Sequence, residues 1–331
     1  MSKAAATFAL AFSAMLLSCG DKADSLLPQS GGSPYEVVVA SDDEACADIT
    51  DSLLSQADEC LPQDEPMFDV SKTSQRRFGQ TAKLARNIVI VTADSSQFTR
   101  TRIRYEKNAW AKPQMVVYIT TPSAERLRHD MASSGGKITQ LLTRAEMNAA
   151  ISELKAEDNV KAEKSAAKTF GVSISIPKDM TSSKQGRDFL WLSNNAATGM
   201  RNICIYRYAG TKLDAGRAVA VRDSIMKANI PGERRGMYMQ TSANSVRTGM
   251  ERVKGRDIMV TRGLWEMHGD AMGGPFVAHS LVDSAKGMIV VAEAFVYAPE
   301  RKKRNLTRST EAALYTLEPA KAKSKGKTRR P

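Results

Sequence analysis

Along the chain, short β-branched runs alternate with segments of helical period. Tyr35–Ala40 (YEVVVA), Asn87–Thr92 (NIVIVT) and Gln114–Thr120 are apolar runs of strand length. Ser41-Asp42-Asp43-Glu44 has the spacing of a capping box and predicts a helix from there to about Leu54. A second helix is predicted near residues 74–85. Thr121-Pro122 reads as an N-cap and first helical residue, leading to one or two long helices over residues 136–165. The second half repeats the rhythm, with strands near 170–176, 188–193 and 202–208, a helix near 215–228, and strands near 236–241 and 256–266. Phe276–Asp283 and Met288–Tyr297 predict a hairpin across Ser284–Gly287. Pro299 is expected to open a closing helix to about Leu317, with Leu306, Ala313, Leu314 and Leu317 on one face.

Hairpin signals argue against a purely parallel sheet, so the pattern predicts an α+β fold with mixed or antiparallel sheets and packed helices. Both halves end alike, in an apolar strand, a turn bearing Pro122 or Pro299, and a basic helix. Divergent duplication of one α+β unit, residues 35–165 against 166–318, is therefore an expectation that mismatched strand order would remove.

The N-terminus follows another pattern. Lys3 precedes an uncharged apolar stretch, Ala4–Leu17, of signal-peptide length and short of the roughly twenty residues a membrane-spanning helix needs. Leu16-Leu17-Ser18-Cys19-Gly20 resembles the bacterial lipoprotein signal. That resemblance implies removal of residues 1–18 and acylation of Cys19, an anchor in which each buried methylene contributes ~0.8 kcal/mol. Residues 19–34, with Pro28 and Ser30-Gly31-Gly32-Ser33-Pro34, read as a flexible tether. The residues after Cys19 lack the compact acidic cluster that resembles a surface-export signal in Bacteroidota lipoproteins. The expected location is the cell envelope, on an outer membrane facing the periplasm.

Composition and charge sharpen this picture. At 331 residues, 42% hydrophobic and 25% charged, the chain has an ordinary globular composition, which excludes a mainly disordered, polytopic membrane or collagen-like protein. The net charge of +12 is polarised: residues 19–66 hold twelve acids against Lys22, residues 319–331 form a basic low-complexity tail, and +16 falls on residues 67–318. Export argues against nucleic acid as the partner and for anionic lipid. The alternative is that the acidic N-terminal segment packs on the basic body. Besides Cys19, the cysteines are Cys46, Cys60 and Cys204. Cys46 and Cys60 form either a disulfide, closing a short loop worth ~3 kcal/mol, or two buried free thiols. Cys204, between Ile203 and Ile205, reads as a small core residue.

Candidate chemistry concentrates in Gly263–Phe276. An extended Leu264–Gly269 would project Glu266, His268 and Asp270 from one face, where a carboxylate beside an imidazole can act as a general base or all three can ligate a metal. Against this, Gly273-Gly274-Pro275 reads as a tight turn with His268 at a sheet edge, and no Cys/His spacing marks a structural metal. Neither a metal nor a cofactor is expected. Sixteen methionines invite a copper reading, but Met237-Tyr238-Met239 alternates as a strand would, and core packing accounts for them. Arg234 and Arg235 sit in a turn. Arg301-Lys302-Lys303-Arg304 fall in the first turns of the closing helix, where the dipole disfavours cations, so these six are candidate anion ligands.

The stretches Arg144-Ala145-Glu146-Met147-Asn148, Asn229–Gly232 with Gly236–Met239, Arg262–Met267 with Gly269–Val277, and Phe295–Glu300 with Lys303-Arg304-Asn305 resemble an uncharacterised lipoprotein family of the Bacteroidota. The resemblance spans residues 33–318 and implies an envelope lipoprotein without a known activity. Two function classes follow. One is a non-enzymatic binding or scaffolding protein for an envelope protein, glycan or anionic lipid. The other is a hydrolase or metal-dependent enzyme using Glu266, His268 and Asp270.

Overall fold

The computed structural model describes residues 27–58, 61–157 and 159–320. The signal stretch, Cys19, Cys60 and residues 321–331 of the basic tail lie outside them. The first half builds a five-stranded sheet from β1 (Glu36–Ser41), β2 (Asp69–Thr73), β3 (Asn87–Ala93), β4 (Arg102–Lys107) and β5 (Met115–Thr121), in the order β2-β1-β3-β5-β4. β1 pairs parallel with β2 and β3, β3 parallel with β5, and β4 antiparallel with β5, leaving β4 at the edge. Helices α1 (Glu44–Leu54) and α2 (Ala124–Ala156) pack together over one face. There Val37, Val39, Val89, Val117 and Ile119 meet Leu54, Leu127, Ile138 and Leu142 in a single core.

The second half is α3 (Val160–Phe170), β6 (Val172–Ser173), β7 (Ser182–Gln185), β8 (Phe189–Ser193), β9 (Met200–Ala209), α4 (Ala215–Asn229), β10 (Tyr238–Thr241), β11 (Arg247–Val253), β12 (Arg256–His268), β13 (Gly273–Asp283), β14 (Met288–Tyr297), α5 (Arg304–Leu314) and β15 (Glu318–Pro319). Eight of these strands form an antiparallel sheet in the order β10-β12-β13-β14-β9-β8-β7, with β11 also paired to β12. Its two faces carry separate cores. Val260, Val277, Val290 and Ile203 pack toward α3 and α5, while Phe276, Trp265, Cys204 and Phe295 pack toward Met226 and Ile230 of and beside α4. Helix α5 lies on β9, β13 and β14 with its other side against α2, so it joins the two halves.

The fold is α+β, with one mixed and one antiparallel sheet. The duplication expectation fails, because a largely parallel five-stranded sheet and an antiparallel eight-stranded one have no common strand order. The likeness of the two local sequences reflects only that both are buried strands ending near a proline.

Several local expectations also shift. Ser41 stays in β1, its Oγ accepting the Asp43 N–H at 3.2 Å, and Asp43 caps α1 by accepting from the Cys46 N–H at 2.9 Å. The predicted helix over 74–85 is two short 3-10 turns, Gln75–Arg77 and Ala82–Leu84. Thr121 ends β5, and Ser123 caps α2. Helix α2 runs unbroken for 33 residues, about 50 Å, through Gly135-Gly136. A Cβ on Gly135 would lie 2.6 Å from the Leu53 side chain, so the glycine lets α1 cross close by. The closing helix begins at Arg304 instead of Pro299.

Candidate functional site

β12 carries Leu264, Glu266 and His268 on one face and buries Trp265 and Met267 on the other. The alternation is as expected, but the three candidate groups have separate neighbours. Glu266 accepts from Gln240 Nε2 at 2.8 Å, across the β10–β12 pair. The exposed His268 ring stacks on Tyr238 with centroids 4.8 Å apart. Asp270 accepts the Ala271 N–H at 2.6 Å in the loop that follows. Among the described residues no three His, Cys, Asp or Glu side chains form a metal-binding group.

Gly273-Gly274-Pro275 is part of β13, not a turn, with Gly274 opposite Trp265 and Pro275 opposite Leu264. A Cβ on Gly274 would come within 2.1 Å of the Val296 carbonyl oxygen, the same oxygen that accepts from Trp265 Nε1 at 3.1 Å. The run is therefore glycine for close approach to β14. A shallow cavity of about 370 Å³ opens beside it, lined by Glu266, Gly273, Pro299, Lys303 and Gln63.

The basic run at the start of α5 is divided, with Lys303 and Arg304 buried and Arg301 and Lys302 exposed. The Glu65 carboxylate, 4% exposed, accepts the backbone N–H groups of Lys303 (2.6 Å) and Arg304 (2.9 Å). Lys303 Nζ donates to Gln63 Oε1 at 3.2 Å and to the Arg301 carbonyl at 2.8 Å. Arg304 bonds the Pro66 carbonyl at 2.6 Å and Asp69 at 2.5 Å. Lys302 pairs with Asp69 at 3.4 Å, and Arg301 reaches Thr198 Oγ1 at 3.2 Å. Burial pulls the Asp69 carboxyl upward, but Arg304 and Lys302 outweigh it and hold the group below its ordinary value. An anion that the helix dipole favours is thus supplied by the chain itself at the buried Lys303 and Arg304, while Arg301 and Lys302 stay exposed beside them. Together with Asp58 on Arg308 at 2.7 Å, these contacts seat the acidic segment on the basic body. Arg234 and Arg235 remain exposed in the turn before β10.

Two buried ion networks went unread in the sequence. In the α4-facing core, Arg222 donates to Glu293 through Nη2 at 2.8 Å and through Nε at 3.1 Å. Its Nη1 reaches Thr241 Oγ1 at 2.9 Å, and its guanidinium lies 3.8 Å over the Phe276 ring. Burial pushes the Glu293 carboxyl up despite Arg222. In the opposite core, Arg262 grips Glu311 with both terminal nitrogens, one at 3.0 Å, and His279 Nε2 stands 3.9 Å away. Here burial is outweighed by Arg262, His279 and Arg308, and the Glu311 carboxyl is held well below the usual range. A charged residue inside an otherwise apolar strand, as Glu293 is in IVVAEAFV, was the available signal.

Cys204 lies opposite Glu293 in the β9–β14 register and is fully buried, so burial drives its thiol well up, as suits a core residue. Cys46 is a buried free thiol pushed up to about 12, chiefly by burial, and Cys60 lies outside the described residues. Met226, Met237, Met239 and Met267 pack in the α4-facing core.

A larger cavity, about 540 Å³, lies between α2 and the β3–β5–β4 edge. The Arg144–Asn148 stretch contributes to it. On its floor Arg86 grips Glu146 through Nε at 3.2 Å and Nη2 at 2.9 Å, and Asn87 Nδ2 donates to the same carboxylate at 2.5 Å. Leu141, Ala145, Ala149, Met115 and Pro113 supply apolar wall, and Tyr105 stands 57% exposed at the mouth.

No described helix is long and apolar enough to cross a membrane. No curated protein matches the chain. Two family models divide the chain between α2 and α3: residues 30–155 match the domain of unknown function DUF8532, and residues 159–316 match the domain of unknown function DUF4837.

Proposed function

We propose that this chain is a lipid-anchored protein of the cell envelope that works by binding a partner, not by catalysis. Acylation of Cys19 would hold it at an outer membrane facing the periplasm. The expected tether would be shorter than residues 19–34, because the Lys112 N–H donates to the Pro28 carbonyl at 2.9 Å and the Gly31 N–H to the Leu84 carbonyl at 2.7 Å, which ties the chain to the fold from Pro28 on. The partner is an envelope protein, glycan or anionic lipid, and not nucleic acid, which an exported protein does not meet.

One observation carries the binding reading. The open 540 Å³ cavity between α2 and β4 has an apolar wall and a charged rim, within the size range of ligand sites, whereas Glu266, His268 and Asp270 each face a different neighbour. The lipoprotein family that the sequence resembles agrees with the location, and the Arg144–Asn148 stretch of that resemblance lines the cavity.

Two measurements test the reading. Cys19→Ala should abolish incorporation of a radiolabelled fatty acid and release the protein from the membrane fraction. A photo-crosslinking residue at position 105 should trap an envelope component in intact cells, while the same residue at position 187, on a fully exposed surface of the second half, should not. Retention of the label by Cys19→Ala, or equal trapping from both positions, refutes the proposal.

A further inference from the structure

The cavity between α2 and β4 also specifies the chemistry of what it would hold, an inference that rests on the binding reading above. Its polar floor is already satisfied. Arg86 is engaged by Glu146 and, at 3.6 Å, by Glu153. Gln114 uses its side-chain oxygen for the Trp110 N–H at 2.9 Å and its amide for the carbonyls of Lys83 and Ala85 at 2.6 and 2.7 Å. A ligand therefore finds no free charge at the bottom. The cations that line the cavity without an ion pair are Arg144 on α2 and Lys107 at the end of β4, both exposed.

The apolar part is equally directional. Leu141, Ala145 and Ala149 recur every four residues along α2, a strip about 12 Å long on which the two alanines leave room against the helix. Opposite them, β4 presents Ile103, Tyr105 and Lys107 on the helix-bearing face, in register with Ile119, Val117 and Met115. No helix covers β4 there. Among the described residues, the exposed large hydrophobic side chains are Ile103, Tyr105, Val160 and Met250, and of these Tyr105 lines the cavity. An isolated exposed apolar residue needs no explanation, but an aromatic ring at the mouth of a cavity with an apolar wall and unpaired cations does.

We infer that this cavity takes an anionic amphiphile, its apolar chain along Leu141, Ala145 and Ala149 under Tyr105, and its acid group on Arg144 and Lys107. A cationic or purely polar molecule would leave one half of the site unmatched, and a neutral apolar one would leave both cations without a counter-charge.

The test uses decanoate as probe, with decyltrimethylammonium (same chain, opposite charge) and butyrate (same acid, short chain) as controls, titrated calorimetrically into the full chain. Saturable binding of decanoate near one per chain is expected, at least tenfold tighter than either control. Arg144→Glu and Tyr105→Ser should each weaken it at least tenfold, whereas Arg128→Glu, exposed on the same helix outside the cavity, should not. All three side chains are solvent-exposed, so the variants should fold, and thermal melts verify it. Absence of decanoate binding, equal binding of decyltrimethylammonium, or an Arg144→Glu variant that binds like Arg128→Glu overturns the inference. If decanoate fails while position 105 still traps an envelope protein in cells, the ligand class falls and the binding reading stands.

Discussion

The carboxylate of Glu65 accepts the backbone N–H of Arg304, at 2.9 Å and 239 residues along the chain. With the Lys303 N–H bound as well, one buried side chain from the first half satisfies two of the orphan donors that open α5. It supplies the negative charge that the helix dipole favours at that end. The interaction joins the halves at the helix that both cores share.

Replacing Glu65 should therefore unfold more than a cap. Glu65→Ala is expected to cost about 2 kcal/mol, the upper end for an N-cap residue. Glu65→Gln, which keeps an acceptor, should cost less. Urea denaturation followed by circular dichroism reads both, and an unchanged midpoint for Glu65→Ala contradicts the assignment.

Acid should expose opposite signs in the two buried carboxylates. Glu311 is held below its ordinary value in the fold, so the stability it adds is present above the unfolded-state pKa and is lost as pH falls through that value toward the folded one. Glu293 is raised, so its charged form opposes folding and that opposition fades as pH falls. Across a urea-midpoint series from about pH 7 to 3, Glu311→Gln should flatten the acid decline. Glu293→Gln should steepen it, and parallel curves for both variants would count against this assignment.

Arg222 and Glu293 are almost wholly buried, and breaking such a pair strands a charge. Arg222→Ala alone should cost about 3–5 kcal/mol, whereas the apolar double replacement Arg222→Met with Glu293→Leu should cost much less than the sum of the single changes. A double-mutant cycle that came out additive would mean the two side chains do not act as a unit.

The close approach at Gly274 gives a local test. Gly274→Ala should destabilise by roughly 1–3 kcal/mol, because its methyl would meet the Val296 carbonyl oxygen and β14 would have to shift. Gly249→Ala on exposed β11, where a Cβ meets nothing within 4 Å, should melt as the parent does. Equal melting temperatures for the two variants would remove the packing argument.

Features written within a few residues were legible in the sequence. The β-branched runs that became β1, β3 and β5, the β13–β14 hairpin and the stop of α4 near Asn229 all follow from local period and turn chemistry. The missed strands β2, β4, β7 and β11 (DVSKT, RIRYEK, SSKQ, RTGMERV) carry charge or polar residues at nearly every position. They are edge or near-edge strands, and such strands need little apolar alternation because much of their surface meets water.

The site followed the same division. The sequence placed Glu266 and His268 correctly on one face of a strand, since that depends only on period two. Whether they met each other, or instead Gln240 and the Tyr238 ring, depended on which strand lay beside β12. The sequence by itself determined the α+β class, the polarised charge and the uncharged apolar stretch near the N-terminus, because each is a sum or a short-range pattern. Only the tertiary structure decided that Glu65 answers the Lys303-Arg304 turn, that Glu293 and Glu311 have arginine partners, and that Arg144 and Tyr105 border one cavity. Those outcomes turn on contacts between residues far apart in the chain, where a charge's partner is set by packing and not by its neighbours in sequence.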